Sequence, residues 1–281
     1  MRQTHTILFL AVDDLIPVAG EPTAGLDELT AALDHEGIPT VWVTSRTRLQ
    51  LDGPRRKLGH THPFIGEDGC GVYLPQDYFH LRPQSVQARQ RGTPTVRLGR
   101  FTCVAVAEQQ PAAESALELL STETKVPVVP LKTLSPRELA QNLGLPLRDA
   151  ELARQRDFDE LFFFAGGIEQ DIERFEAAGR RRNVQLRRQG PFHSLAVSAS
   201  LKSCIRELSH LYDRAVRSHA LTIGVGTSDN QNEMRSACHR FVLMAEEQEE
   251  GMKNTARVSY IPAKAPDKWG RLLDLIASRK L

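Results

Sequence analysis

Ile7-Leu8-Phe9-Leu10-Ala11-Val12 is an unbroken apolar run that stops at Asp13-Asp14. A strand that is apolar at every position, rather than at alternate ones, is buried on both faces, as interior strands of parallel sheets are. Residues 25–36 place Leu26, Leu29 and Leu33 on one helical stripe, and Gly37 supplies the stop. Residues 40–43 read as a second buried strand. Strand, helix and strand at this spacing form a βαβ unit with a right-handed crossover. Thr44-Ser45 closes the second strand and can cap the next helix, which Gly53-Pro54 is expected to interrupt.

Further along, residues 63–74 read as two short strands around Gly69 and Gly71, and residues 75–110 are irregular and rich in Gln, Arg and Pro. Helical spacing returns over 112–120 and 136–143. A strand at 160–165, an amphipathic helix at 167–182 and a strand pair at 184–188 and 192–197 follow. This middle block is α+β in character. The opening pattern resumes with a helix at 201–218, a buried strand at 221–225, a polar loop at 226–232, a strand at 241–244 and a last helix at 267–280. The expected architecture is an α/β parallel-sheet core over 1–80 and 198–281, split by an inserted α+β cap over 81–197.

The 281 residues suffice for one large domain or two smaller ones with a real core. Lys plus Arg number 36 and Asp plus Glu 35, a balance that argues against a general nucleic-acid binder or an anionic membrane surface as partner. The apolar run at 7–12 is too short to span a bilayer or to serve as a secretory signal. Cys70, Cys103, Cys204 and Cys238 show no paired spacing, so they read as free thiols. A soluble cytoplasmic protein is expected.

Ligands of parallel α/β sheets bind at the carboxyl ends of the strands. Asp13, Asp14, Thr44, Ser45, Arg46 and the run 224–231 fall there, and Lys202 opens a helix that can point to the same edge. Several segments extend this into a resemblance. Val43-Thr44-Ser45-Arg46-Thr47 is similar to a strand end whose hydroxyl binds phosphate. Phe64-Ile65-Gly66-Glu67-Asp68-Gly69 resembles an E-N-G hairpin, with Asp68 in place of the asparagine. Arg156-Asp157-Phe158-Asp159-Glu160-Leu161-Phe162 looks like a cap signature R-E-[FY]-[DS]-E-P-F, Lys202 matches a D-K-G lysine, and Gly226-Thr227-Ser228-Asp229-Asn230-Gln231 before Met234 resembles G-D-S-x-N-D-x-x-M. Trp269 fits a late G-W element. In this order the segments resemble the haloacid dehalogenase superfamily, in its capped Cof-type branch, and within it the mannosyl-3-phosphoglycerate phosphatases.

The resemblance implies an aspartate nucleophile, a second carboxylate two residues later as acid/base, and Mg²⁺ held by the first acid and by acids of the late loop. The D-x-D of that pattern falls on Ala11-Val12-Asp13, and no shift of register restores two carboxylates: from Asp13 the second position is Leu15, from Asp14 it is Ile16. The late-loop acids fall on Thr227 and Gln231, with Asp229 between them. The resemblance therefore implies Asp13, Thr44 and Lys202 as what remains of the catalytic set. It implies Ser45, Arg46, Arg156, Asp159, Glu160, Ser228 and Asn230 as ligand-binding positions. The leading expectation is a pseudophosphatase without a cofactor that binds a phosphosugar or a protein partner. The alternative is an active Mg²⁺ phosphatase using Asp13, Asp14 and Asp229. A glycine-rich cap element, G-G-R-F, falls on Gln189-Gly190-Pro191-Phe192, so its arginine is missing.

Plainer readings stand beside these. Thr44-Ser45 is a common helix cap, and Arg156 to Glu160 reads equally as a salt-bridged turn. His60-x-His62 lacks a third ligand nearby, and Arg180-Arg181-Arg182 with Arg187-Arg188 lacks interleaved aromatics, so neither is taken as a metal or nucleic-acid site.

Overall fold

The structure, a computed structural model, describes residues 4–18, 20–79, 94–166, 168–190, 192–227, 232–246 and 257–277. Strands β1 (Thr4–Ala11), β2 (Thr40–Val43), β3 (Phe64–Gly66), β4 (Gly71–Pro75), β5 (Thr95–Leu98), β6 (Phe101–Ala105), β11 (His219–Gly226), β12 (Arg240–Ala245) and β13 (Val258–Pro262) form one sheet in the order β13-β12-β11-β1-β2-β3-β4-β6-β5. The pairs from β13 to β3 are parallel, and β4, β6 and β5 extend the sheet in antiparallel fashion.

The opening run behaves as its composition demands. Leu8, Leu10 and Val12 pack with Leu26, Leu29 and Leu33 of α1 (Leu26–His35) and Leu272 of α9 (Lys268–Ala277). Ile7, Phe9 and Ala11 pack on the other face with Leu201, Cys204, Ile205 and Leu208 of α7 (Leu201–Val216). Burying one such side chain stabilises by about 1.5–3 kcal/mol. Trp269 donates from Nε1 to Ala24 O at 2.8 Å, and a Cβ on Gly25 (φ 79°) would meet its Cδ1 at 2.7 Å. This contact locks α9 to the start of α1.

A second sheet, β7-β8-β10-β9, comprises β7 (Val128–Pro130), β8 (Glu160–Phe164), β9 (Val184–Gln189) and β10 (Phe192–Val197). Helices α3 (Gln110–Thr124) and α6 (Glu169–Arg181) supply Leu117, Leu120 and Phe175 to one apolar cluster on it. Helices α4 (Pro136–Leu143) and α5 (Leu147–Ala153) supply Leu139 and Ala150 to another. This is the inserted α+β cap.

Four expectations are corrected. Residues 95–105, assigned from sequence to the insertion beginning at 81, belong to the core sheet, because β6 pairs along the whole of β4. The cap of α2 (Arg48–Lys57) is Thr47, not Thr44-Ser45: the Thr47 hydroxyl accepts from Gln50 N and the Gln50 side chain accepts from Thr47 N. The same helix runs through Gly53-Pro54. Proline removes one backbone donor, and beyond it buried Arg55 holds the helix, with its guanidinium 4.7 Å from the Phe64 ring centre and Nη2 donating to His62 O at 2.7 Å. Finally, β13, β7 and α5 were not anticipated. The polar loop expected at 226–232 lies mostly outside the described residues.

All four cysteines are free and buried. No helix among the described residues is long and apolar enough to cross a membrane.

Candidate active site

β1 ends at Ala11, in register with Val43 of β2, so Asp13 and Asp14 emerge beside Thr44 and Ser45 at the carboxyl edge of the sheet. Asp13 is held from the strand ends, with its side chain still 39% exposed toward the cleft. Its Oδ1 accepts from the Thr44 hydroxyl, its Oδ2 from Ser45 N at 2.8 Å, and its carbonyl from Arg46 Nη2 at 3.1 Å. Arg46 also donates to Ile16 O and lies 3.7 Å from Asp13 Oδ1. Asp14 accepts from the hydroxyl of Thr227, at the end of β11. Ala11 itself is 4% exposed and presents its methyl to the apolar cluster shared with α7.

Between β3 and β4 the chain turns through three left-handed residues, Glu67 (φ 48°), Asp68 (φ 54°) and Gly69 (φ 90°). A Cβ on Gly69 would lie 2.5 Å from Leu201 N, so the turn abuts the start of α7. Glu67 is completely buried and accepts three successive backbone N–H groups of the chain entering β8: Asp157 at 2.9 Å, Phe158 at 2.9 Å and Asp159 at 3.1 Å. Three donors converging on one carboxylate form an anion nest filled from within the protein. Arg48 and Tyr73 donate to Asp157 at 2.9 and 3.0 Å, Arg156 is ion-paired with Asp159, and Arg156 Nη2 donates to Ser45 O at 2.7 Å. Together these contacts weld the cap's entry segment to the core.

Above the strand ends lies a cleft of about 700 Å³. Its core side is formed by Asp13, Asp14, Thr44, Ser45, Asp68 and Leu201, and its cap side by residues 187–190 of the β9–β10 hairpin. Gln189 Nε2 spans it to donate to Asp68 Oδ2 at 2.7 Å. Burial raises the Asp68 pKa, and the nearby Arg187 opposes the shift.

The residues expected from sequence divide accordingly. Asp13, Thr44 and Ser45 come together in the cleft, while Arg46 is buried beside Asp13 and bridges backbone carbonyls. Lys202 is exposed in the first turn of α7 and makes no ion pair among the described residues. Expected on a ligand, Arg156, Asp159 and Glu160 do not line the cleft. The first two are buried in the core–cap weld, and Glu160 accepts from Gln110 at 2.6 Å beside a separate cap cavity. Ser228, Asp229, Asn230, Gln231 and Pro191 lie outside the described residues. Sequence reasoning met Glu67, Arg187 and Gln189 only inside motifs, without a site role, and passed over Glu233; the partners of all four lie far off in the chain.

The resemblance to Mg²⁺ phosphatases raises the question of whether these oxygens suit that ion. Mg²⁺ takes a near-octahedral set of oxygen donors, one or two of them carboxylates and several of them waters. All three Asp13 oxygens already accept hydrogen bonds, the guanidinium of Arg46 stands where it would repel a cation, and no group of three His, Cys, Asp or Glu able to hold a metal occurs among the described residues. The described residues by themselves supply no complete site for the ion. His60 and His62 are likewise engaged: His60 stacks on Trp42 and pairs with Thr40 O at 2.7 Å, and His62 lies between Tyr78 and Asp34.

No family model matches the chain. Over 225 residues it is 25% identical to a glucosyl-3-phosphoglycerate/mannosyl-3-phosphoglycerate phosphatase of Methanococcoides burtonii, covering 76% of each chain. Over 199 residues it is 25% identical to an enzyme of the same name from Persephonella marina, covering 70% of this chain and 69% of that one. Among solved structures it superposes on a haloalkanoate-superfamily phosphatase from Bacteroides thetaiotaomicron with a TM-score of 0.62, 16% identity and coverage of 99% and 96%. It superposes on a subclass IIB sugar phosphatase of that superfamily with a TM-score of 0.59, 13% identity and coverage of 98% and 100%.

Proposed function

We propose that this chain, which has the haloacid dehalogenase fold and resembles mannosyl-3-phosphoglycerate phosphatases in sequence, has lost aspartyl-phosphate chemistry and acts by binding a phosphorylated sugar or sugar acid in the cleft beneath its cap. The observation that carries the reading is Ala11. A phosphoryl group can be taken up covalently only by a nucleophilic side chain at the tip of the opening strand, and that tip bears a buried methyl. Loss of such a group alone costs on the order of a millionfold in rate. Asp13 does not replace it, because both its carboxylate oxygens are tied to the strand end by Thr44 and Ser45.

The test is a phosphate-ester panel that includes both phosphoglycerate glycosides, run on the purified chain with and without Mg²⁺. The expected result is no turnover above that of Asp13→Asn, together with saturable binding of at least one ester. Robust turnover that disappears in Asp13→Asn refutes the proposal and favours an active enzyme built on Asp13, Asp14 and Asp229. A stoichiometric protein copurifying with a chain that binds no ester refutes it in the other direction.

A further inference from the structure

β9 is an edge strand of the cap sheet, and its alternate residues Gln185, Arg187 and Gln189 face the core. The two outer side chains donate through their amide nitrogens, Gln185 to Glu233 Oε1 at 2.7 Å and Gln189 to Asp68 Oδ2 at 2.7 Å, while Gln185 Oε1 accepts no hydrogen bond. Arg187 lies between them. Its Nη2 lies 3.0 Å from Glu233 Oε2 without hydrogen-bond geometry, and its Nε finds no acceptor. Its side chain is 22% exposed and forms part of the cleft wall. Its backbone is fixed opposite Ser194 in the β9–β10 pairing. A guanidinium held this firmly, with donors left over, is short of an acceptor. The opposite side of the cleft carries Asp13, Asp14 and Asp68. Without a bound cation, those three carboxyl groups oppose a second anion on the core side.

We propose that Arg187 is the anion anchor of the cleft: the ligand is an anionic sugar whose phosphate or carboxylate is received by the cap, while the core-side aspartates accept its hydroxyl groups. The inference rests on the reading of the cleft as a binding site and adds the polarity of the bound molecule. The fork of an arginine suits both oxyanions, since each presents two oxygens at matching separation. Glu233 holds the guanidinium while the cleft is empty and yields it to a stronger bidentate acceptor.

The experiment is calorimetric titration of the full chain, without added Mg²⁺, using glucose 6-phosphate, gluconate and neutral glucose. At least one of the two anions is expected to bind tenfold or more tighter than glucose, and whichever binds tighter identifies phosphate or carboxylate as the preferred group. Arg187→Gln should weaken that anion at least tenfold and leave glucose unchanged, whereas Arg180→Gln, exposed on α6 and outside the cleft lining, should change nothing. If Arg187→Gln does not fold, Arg187→Lys decides: charge without the fork is expected to weaken the anion at least threefold. Equal binding of anions and glucose, no anion binding at 10 mM (a ceiling of about −2.7 kcal/mol), or wild-type affinity in the Arg187 variants overturns the proposal. So does tighter glucose 6-phosphate binding in Asp14→Asn, which would put the phosphate on the core side. Turnover of an ester with Mg²⁺ would instead overturn the inactive reading and leave the Arg187 result standing.

Discussion

Glu67→Ala removes the one acceptor shared by three backbone donors at the core–cap weld. Glu67 is completely buried, and the N–H groups of Asp157, Phe158 and Asp159 lie 2.9, 2.9 and 3.1 Å from its oxygens. Each buried donor left without a partner costs about 1–3 kcal/mol. Water entering the space vacated by the side chain recovers part of that sum, so the expected loss is about 3–5 kcal/mol, the range for breaking a buried charged contact. Glu67→Gln separates the carboxylate from mere packing. A glutamine keeps one carbonyl acceptor but turns its amide nitrogen toward donors, so it should lose about 2–4 kcal/mol despite equal volume. The assay is urea unfolding with the slope checked for constancy, supported by hydrogen exchange at 157–159, which should accelerate in both variants. A Glu67→Gln protein within about 1 kcal/mol of wild type would refute the argument, because the nest would then not require an anion.

Two further predictions follow from the same geometry. Burial, with Arg55 adjacent, pushes the His60 pKa down to about 3, so the unfolded chain takes up this proton first. The stability due to a neutral His60 is complete above about pH 6.5 and falls toward pH 3 with a slope approaching about 1.4 kcal/mol per unit. Urea midpoints measured from pH 7 to 4 should therefore fall in wild type and flatten in His60→Gln, and parallel profiles would contradict this. Separately, the combined variant Ala11→Asp, Thr227→Asp, Gln231→Asp should gain ester hydrolysis in a Mg²⁺ assay. A folded product with no gain would show that the cleft no longer has the geometry for phosphoryl transfer.

How much of this was readable in the sequence depends on the range of the interaction. The interior strands and α1 were legible because continuous apolar runs and a 3.6-residue stripe are local signals. The Thr47–Gln50 capping box was legible in principle as T-x-x-Q, but the adjacent Thr44-Ser45 drew the assignment instead. β5 and β6 were not legible: they are set by pairing with β4, and their own residues carry no sustained period. Glu67 looked like one letter of a hairpin pattern because its partners are backbone N–H groups some 90 positions away, which no side-chain motif records. Arg187 lay within a basic strip that read as solvated. Only the alternation of β9 against the core separates it from Arg188, which also lines the cleft but is exposed and donates to Gly190 O at 3.3 Å.

Asp13 shows why a surviving acid is weak evidence for surviving chemistry. The sequence marks it as what remains of a carboxylate pair, and that invites the conclusion that half of a mechanism persists. In the structure its carboxylate closes the turn after β2 through the Thr44 hydroxyl and Ser45 N–H, while its carbonyl receives buried Arg46. Replacing it would leave a buried guanidinium without its nearest counter-charge, so Asp13 has a structural role whether or not it has a chemical one. Ala11 has no such tie: a methyl suits the apolar cluster on that face of β1 better than an ionised group would, and no contact among the described residues depends on a carboxylate there. The two positions are therefore free to part company. On the proposed reading, the acid with a structural role is kept while the nucleophile position carries a methyl.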